Sequence, residues 1–191
     1  MSQANSPNQR PLVMTGENVA LAMMVADDIE AFAAWYQDLE FTRMLGIPGE
    51  LQTVEMRREI FNKVGSRPNF DTVEFSLLTT ASRELVGFGG LFNMTRGVAG
   101  ELFIGISPDH WRKGYGTECV RLIATYGFSY LSLNCIHLSV HSYNMGAIRC
   151  YEKAGFKQAG RLRGVLLLDG FRYDEILMDQ IRDEFKSDNS V

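Results

Sequence analysis

Apolar positions recur along this chain with two different periods. From Asn18 to Met24 a short apolar run reads as a strand. Asp27-Asp28-Ile29-Glu30 then opens a helix, with Asp27 at the N-cap and Glu30 three residues on, as in a capping box. Ile29, Phe32, Ala33 and Tyr36 follow at helical spacing and are expected to face a core. Phe41 to Glu50 carries Gly46, Pro48 and Gly49 and reads as a loop. A second helix is predicted from Thr53 to Val64, with Met56, Ile60 and Val64 on its inner face and Gly65 at its stop.

After Thr72 the period falls to two. Val73, Phe75 and Leu77 share one face of a strand ending at Thr79. Arg83-Glu84 is a turn, and Leu85 to Phe92 is a second strand whose Gly87, Gly89 and Gly90 suit close sheet packing or a bulge. Glu101 to Ser107 is a third, ended by Pro108. Thr117 to Tyr130 is helical, with Val120, Ile123, Ala124 and Gly127 aligned. In Asn134 to His141, Ile136, Leu138 and Val140 alternate with His137, Ser139 and His141. Asn144 caps a helix that ends at Gly155, and an Asp169-Gly170 turn joins strands Phe156 to Leu168 and Phe171 to Asp179. The order is strand, two helices, three strands, helix, strand, helix, hairpin. That is a mixed α/β (α+β) layer and not a plain doubly wound sheet. Polar ends, 1–11 and 186–191, are expected as flexible tails around one domain, 12–185.

Composition narrows the function classes. The 191 residues suit roughly one domain. Nineteen Lys and Arg against 23 Asp and Glu give a net charge of -4, which argues against a general nucleic-acid binder, so no direct DNA binding is expected. An anionic ligand would need a local site. Cys119, Cys135 and Cys150 lack zinc-ligand spacing, so no metal site is expected and the thiols read as reduced. Met1 to Arg10 lacks the apolar stretch of a secretory signal, and no apolar run approaches the ~18 residues of a membrane span. The expectation is a soluble, cytoplasmic protein.

The candidate chemistry starts at Glu101 to Phe128. A strand ends, a turn Arg112-Lys113-Gly114-Tyr115-Gly116-Thr117 follows, and a helix begins. Free backbone N–H groups and the helix dipole favour an anion there. Gly114 and Gly116 allow close approach, and Arg112 and Lys113 add positive charge, which suits a phosphate or pyrophosphate. No Lys-Ser or Lys-Thr follows, so this is not a Walker loop, and the third glycine of a dinucleotide fingerprint is missing. The bland alternative is a glycine turn that only starts a helix.

A second segment, Asn144 to Phe156 (NMGAIRCYEKAGF), lies one strand downstream. Together the two resemble the GNAT superfamily of acetyl-CoA-dependent N-acetyltransferases. That family shows Gln/Arg-x-x-Gly-x-Gly/Ala about thirty residues before Asn-x-x-Ala-Ile-x-x-Tyr-x-x-x-Gly-Phe. Trp111 stands at the usual Gln/Arg position, which leaves its role open. Trp111 with Gly114 to Glu118, and the ending Gly170-Phe171-Arg172-Tyr173-Asp174 to Met178, look like the RimJ/RimL-type branch. That branch modifies ribosomal-protein N-termini and includes polyamine- and antibiotic-acetylating relatives, often homodimeric. The resemblance runs from Glu17 to Asp179.

It implies a twisted mixed sheet with splayed strands, flanked by helices. Backbone N–H groups from Arg112 to Thr117 would hold the CoA pyrophosphate. Ile104-Gly105-Ile106 would pair with the pantetheine arm, Asn144 would contact that arm, and Tyr151 would protonate the departing thiolate. Asn144 is also a plain N-cap, and Tyr151 also sits on an apolar face with Ala147 and Ile148. Ser139 stands where some relatives carry a catalytic Glu, and could order a water or bind substrate. Glu74, Glu101, His141 or water remain as general base. The acceptor is a primary amine: a protein N-terminal α-amine first, a polyamine, aminoglycoside or other small amine second. A non-catalytic acyl-CoA-binding sensor is the rival from another class.

Overall fold

A computed structural model describes residues 10–65 and 71–185. Of the expected tails, only Arg10 and Pro11 fall inside the described residues. Strands β1 (Leu12–Thr15), β2 (Val19–Met23), β3 (Val73–Thr79), β4 (Leu85–Thr95), β5 (Ala99–Ile106), β6 (Cys135–His141), β7 (Lys157–Leu168) and β8 (Phe171–Ile181) form one sheet, in the order β1-β2-β3-β4-β5-β6-β8-β7. Only β5 and β6 run parallel among the described pairs; the other neighbours are antiparallel. The helices are α1 (Ile29–Trp35), α2 (Leu39–Met44), α3 (Val54–Gly65), α4 (Tyr115–Ser129) and α5 (Met145–Ala154). This is the expected mixed α/β architecture.

Strand alternation builds a different core on each side of the sheet. On one face Phe75, Leu77, Leu91, Ile136 and Leu138 pack with Val120, Ile123, Ala124 and Phe128 of α4. Full burial of one such Ile or Phe contributes about 1.5–3 kcal/mol. Gly89 lies under α4: a Cβ there would stand 2.9 Å from the Phe103 carbonyl oxygen and 3.1 Å from Ile123 Cδ1. Close packing therefore accounts for this glycine. Phe88 points the other way, into a second cluster with Phe32, Tyr36 and Phe41. Its rings meet edge-on and stacked, with Phe32 and Phe88 centroids 5.1 Å apart.

Four local expectations change. Asp27 is not the N-cap of α1, because a 3-10 turn, Ala26–Asp28, comes first. Asp28 is buried instead. Its carboxylate accepts from Val25 N at 3.1 Å and from Ser76 Oγ and Arg10 Nη1, each at 2.5 Å. Phe41 to Glu50 is not all loop, since α2 occupies its first part. Asp38 caps α2, its Oδ1 accepting from Glu40 N at 2.8 Å and Phe41 N at 3.1 Å. On α3 the inner face is not led by Met56, which is exposed, but by Arg57, which is buried. The Arg57 guanidinium lies 4.8 Å from the Tyr36 ring centre, with Phe32 and Phe88 close by, and such cation–ring attraction offsets the cost of burying charge. The Val64 side chain lies outside what is described. Finally, β1 precedes the first predicted strand and pairs with it.

Candidate active site

The β5–β6 pair comes apart part-way along. Ala99, Gly100 and Glu101 pair with Cys135, Ile136 and His137, and there the register stops. Beyond it β5 follows β4 as far as Ile106, and β6 follows β8 as far as His141. Backbone groups of Ile104-Gly105-Ile106 therefore border an open fork. The Ile104 and Ile106 side chains pack toward the α4 core, and Gly105 lies under Phe88 and Phe41, where a Cβ would come within 2.9 and 3.2 Å.

Two helices begin at this fork. Before α4, Trp111 donates its Nε1–H to the Ile106 carbonyl at 2.6 Å and pins the end of β5. That is the part Trp111 plays in the structure. Arg112 (φ 62°) and Gly114 (φ 86°) are both left-handed, and they curl the exposed turn over the helix start. No side chain caps α4, so its first N–H groups keep no partner within the helix. Gly114 has open space around it, whereas a Cβ on Gly116 would lie 3.3 Å from Cys150 Sγ. Thr117 Oγ1 also donates to Cys150 Sγ at 3.5 Å. Gly116 is thus where α4 and α5 close on each other.

Asn144 opens α5. Its Oδ1 accepts from Ala147 N at 3.0 Å, and its Nδ2 donates to the Met44 carbonyl at 2.7 Å. Tyr143 donates its hydroxyl to the Arg43 carbonyl at 2.5 Å, and His141 Nε2 lies 3.3 Å from the Gly46 carbonyl. A carbonyl only accepts, so Nε2 is the donor in that contact. Nδ1 is buried without a partner. Three side chains at the end of β6 and the start of α5 thereby bind carbonyls at the end of α2 and just after it, that of Arg43 alongside its backbone bond from Gly46 N.

A cavity of about 260 Å³ fills the fork. Glu101, Ser139, His141, Asn144, Tyr151 and Glu175 bring their chemistry to it, and the end of α2 and Phe92 complete its walls. Tyr151, 8% exposed, belongs to the α4 core, and its hydroxyl makes no hydrogen bond among the described residues. Burial pushes its phenol far above the ordinary range, so it keeps its proton. Burial likewise raises the Cys150 thiol, against the Thr117 hydroxyl and the charges of Lys153 and Arg121.

The chain matches the family model described as "Acetyltransferase (GNAT) domain" over residues 18–157. The chain belongs to the GNAT acetyltransferase family. It is 32% identical to the probable N-acetyltransferase YjcK of Bacillus subtilis (strain 168) over 166 residues, 84% of this chain and 86% of that protein. Among solved structures it resembles the spermidine N-acetyltransferase of Vibrio cholerae in complex with CoA and spermine (TM-score 0.80, 20% identity, 88% of this chain and 98% of that one). It also resembles the ribosomal-protein-S5-alanine acetyltransferase of Vibrio fischeri (TM-score 0.74, 17% identity, 91% and 98%). This GNAT chain is an N-acetyltransferase, and acetyl-CoA is its co-substrate.

The GNAT fold separates the residues expected to act. Ser139, Asn144, Tyr151, Glu101 and His141 meet at the fork, and Glu101 accepts from Asn93 Nδ2 at 3.3 Å. Glu74 does not join them: on β3 it pairs with Gly90 of β4, and its charge adds to the rise that burial gives the Tyr36 phenol, while Arg57 acts to lower it. His110, just before the turn, has its Nδ1 2.7 Å from Ser107 Oγ and its Nε2 3.3 Å from Glu84 Oε1. Glu175 lies inside the Gly170-to-Met178 ending but has no role in that resemblance; its place on β8 opposite His141 signals it. No group of described residues could hold a metal ion, and no described helix is long and apolar enough to cross a membrane.

Proposed function

We propose that this acetyltransferase transfers acetyl from acetyl-CoA to the primary amine of a small molecule, by direct attack within a ternary complex. The observation that carries the reading is the β5–β6 fork, which faces a buried, protonated Tyr151 and the uncapped start of α4. Backbone N–H groups from Arg112 to Thr117 hold the pyrophosphate, with charge from Arg112 and Lys113. Ile104-Gly105-Ile106 offer their fork-side backbone, apart from the Ile106 carbonyl that Trp111 holds, to the pantetheine amides beside Asn144. Tyr151 gives its proton to the departing thiolate. Ser139 orders a water that carries the amine proton toward Glu101 or His141. Cys119 is buried and its thiol is pushed far up by burial, so a cysteine acyl intermediate has no activated nucleophile there.

A small amine suits walls drawn from α2, α5 and four strands. A protein N-terminus, as in the RimJ/RimL-type branch, is the second reading. Ser139 favours it: deprotonation at pH 7 costs an α-amine about 1 kcal/mol and an alkyl amine about 5 kcal/mol, so a site with Ser rather than Glu there suits the weaker base. The two solved relatives carry fold information only and do not separate these readings. Thiol release from acetyl-CoA, with mass spectrometry of products, tests them across spermidine, aminoglycosides and N-terminal peptides. Acetylated small amine is the expected product. Acetylated peptide alone supports the second reading. CoA binding without amine-dependent thiol release overturns both, in favour of a sensor.

A further inference from the structure

One carboxylate in the cavity has no task in the chemistry above. Glu175 on β8 is the direct partner of His141 on β6. Paired residues project to the same side of a sheet, so Glu175 shares a face with Ser139 and His141. Its neighbours Ile176 and Met178 point into the α4 core instead, with Tyr151. Glu175 and Tyr151 therefore reach the cavity from opposite faces. A thioester seated in the fork would lie between them, which leaves Glu175 to the amine and not the thiol.

The charge of Glu175 is uncompensated. It makes no hydrogen bond or ion pair with any described residue. The nearby cations act on other carboxylates, Arg163 adding its charge to Asp174. Arg43 pairs with Asp169 at 2.8 Å, and Asp174, next in sequence, is bound by Arg161 and Gly164 N. No Lys or Arg lines the cavity. Glu175 is a half-buried carboxylate in the same cavity as Glu101, without a cation of its own among the described residues, and a cation on the ligand would complete it.

We propose that Glu175 selects amines bearing a second cationic group, short diamines and polyamines, and binds that group while the acceptor nitrogen faces the fork. The proposal rests on the acetyl-transfer reading of the cavity. It is tested with matched acceptors, 1,4-diaminobutane against butylamine, in the intact protein with acetyl-CoA. The wild type should favour the diamine in kcat/KM by about tenfold or more, the scale of one charge-assisted hydrogen bond. Glu175→Gln should collapse that ratio toward one, chiefly through the diamine KM, and Glu175→Asp should restore part of it. A wild type without diamine preference, or a ratio unchanged in Glu175→Gln, overturns the proposal. If neither amine is acetylated, calorimetric titration of 1,4-diaminobutane into the CoA-saturated protein decides. Binding lost in Glu175→Gln upholds Glu175 while the acetyl-transfer reading falls; equal or absent binding overturns Glu175 itself.

Discussion

Asn144 ties α5 to α2: its amide nitrogen donates to the Met44 carbonyl at 2.7 Å, while its amide oxygen accepts from Ala147 N at 3.0 Å. The side chain expected to touch the cofactor arm thus caps one helix and fastens another. Asn144→Ala removes both bonds and should cost about 1–3 kcal/mol of stability. Asn144→Ser keeps the cap and loses the reach to Met44, so it should melt closer to the wild type yet raise the amine KM. Thermal melts and amine titrations check this, and a Ser variant with wild-type KM would remove the link to the amine wall.

Tyr151 makes no polar bond among the described residues, so Tyr151→Phe should leave stability nearly unchanged. Turnover should fall about 10²–10⁴-fold, the usual contribution of a positioned general acid. CoA affinity should hold. Equal losses of binding and turnover, or unchanged turnover, would refute the acid role.

Gly116 separates packing from binding. Gly116→Val drives a side chain into Cys150 and should both destabilise the protein and weaken CoA. Pairing Gly116→Ala with Cys150→Ala opens the helix contact and should recover stability. If CoA affinity recovers fully as well, Gly116 serves the helices and not the pyrophosphate.

The pH response has a definite sign. Cys119, Cys150 and Tyr151 all have raised pKa values, with burial the first cause for each. The folded chain holds these protons more tightly than the unfolded chain. Their stabilisation is complete below the ordinary thiol range and is lost as pH climbs above about 8.5. Urea midpoints should therefore fall between pH 8 and pH 10, and Cys119→Val should flatten the slope. A rising midpoint would contradict the burial of these groups.

The parts of the site that follow local rules were legible in the sequence. Alternation in Asn134 to His141 located Ser139 and His141 on one face, and Asn144 announced its helix. α2 was hidden because Leu39 to Met44 spans only six residues and the glycines and proline after it dominate the pattern. Asp38, two and three residues before the amides it caps, was the available signal. Arg57 was hidden for another reason: hydrophobic periodicity treats a cation as a surface residue, and only the assembled Phe32, Tyr36 and Phe88 rings make its burial favourable. Glu175 sits in the Gly170-to-Met178 ending, but its neighbours in the cavity depend on a cross-strand register that a single strand does not reveal.

The bonds from His141, Tyr143 and Asn144 all end on main-chain oxygens, those of Gly46, Arg43 and Met44. Every residue type supplies such an oxygen. Side chains along that segment can therefore be exchanged without unfastening it from α5. Acceptor choice can drift by substitution at Met44, Leu45 and Ile47 while the donor-binding half of the protein stays as it is. That makes these positions a practical place to randomise when a new amine is wanted.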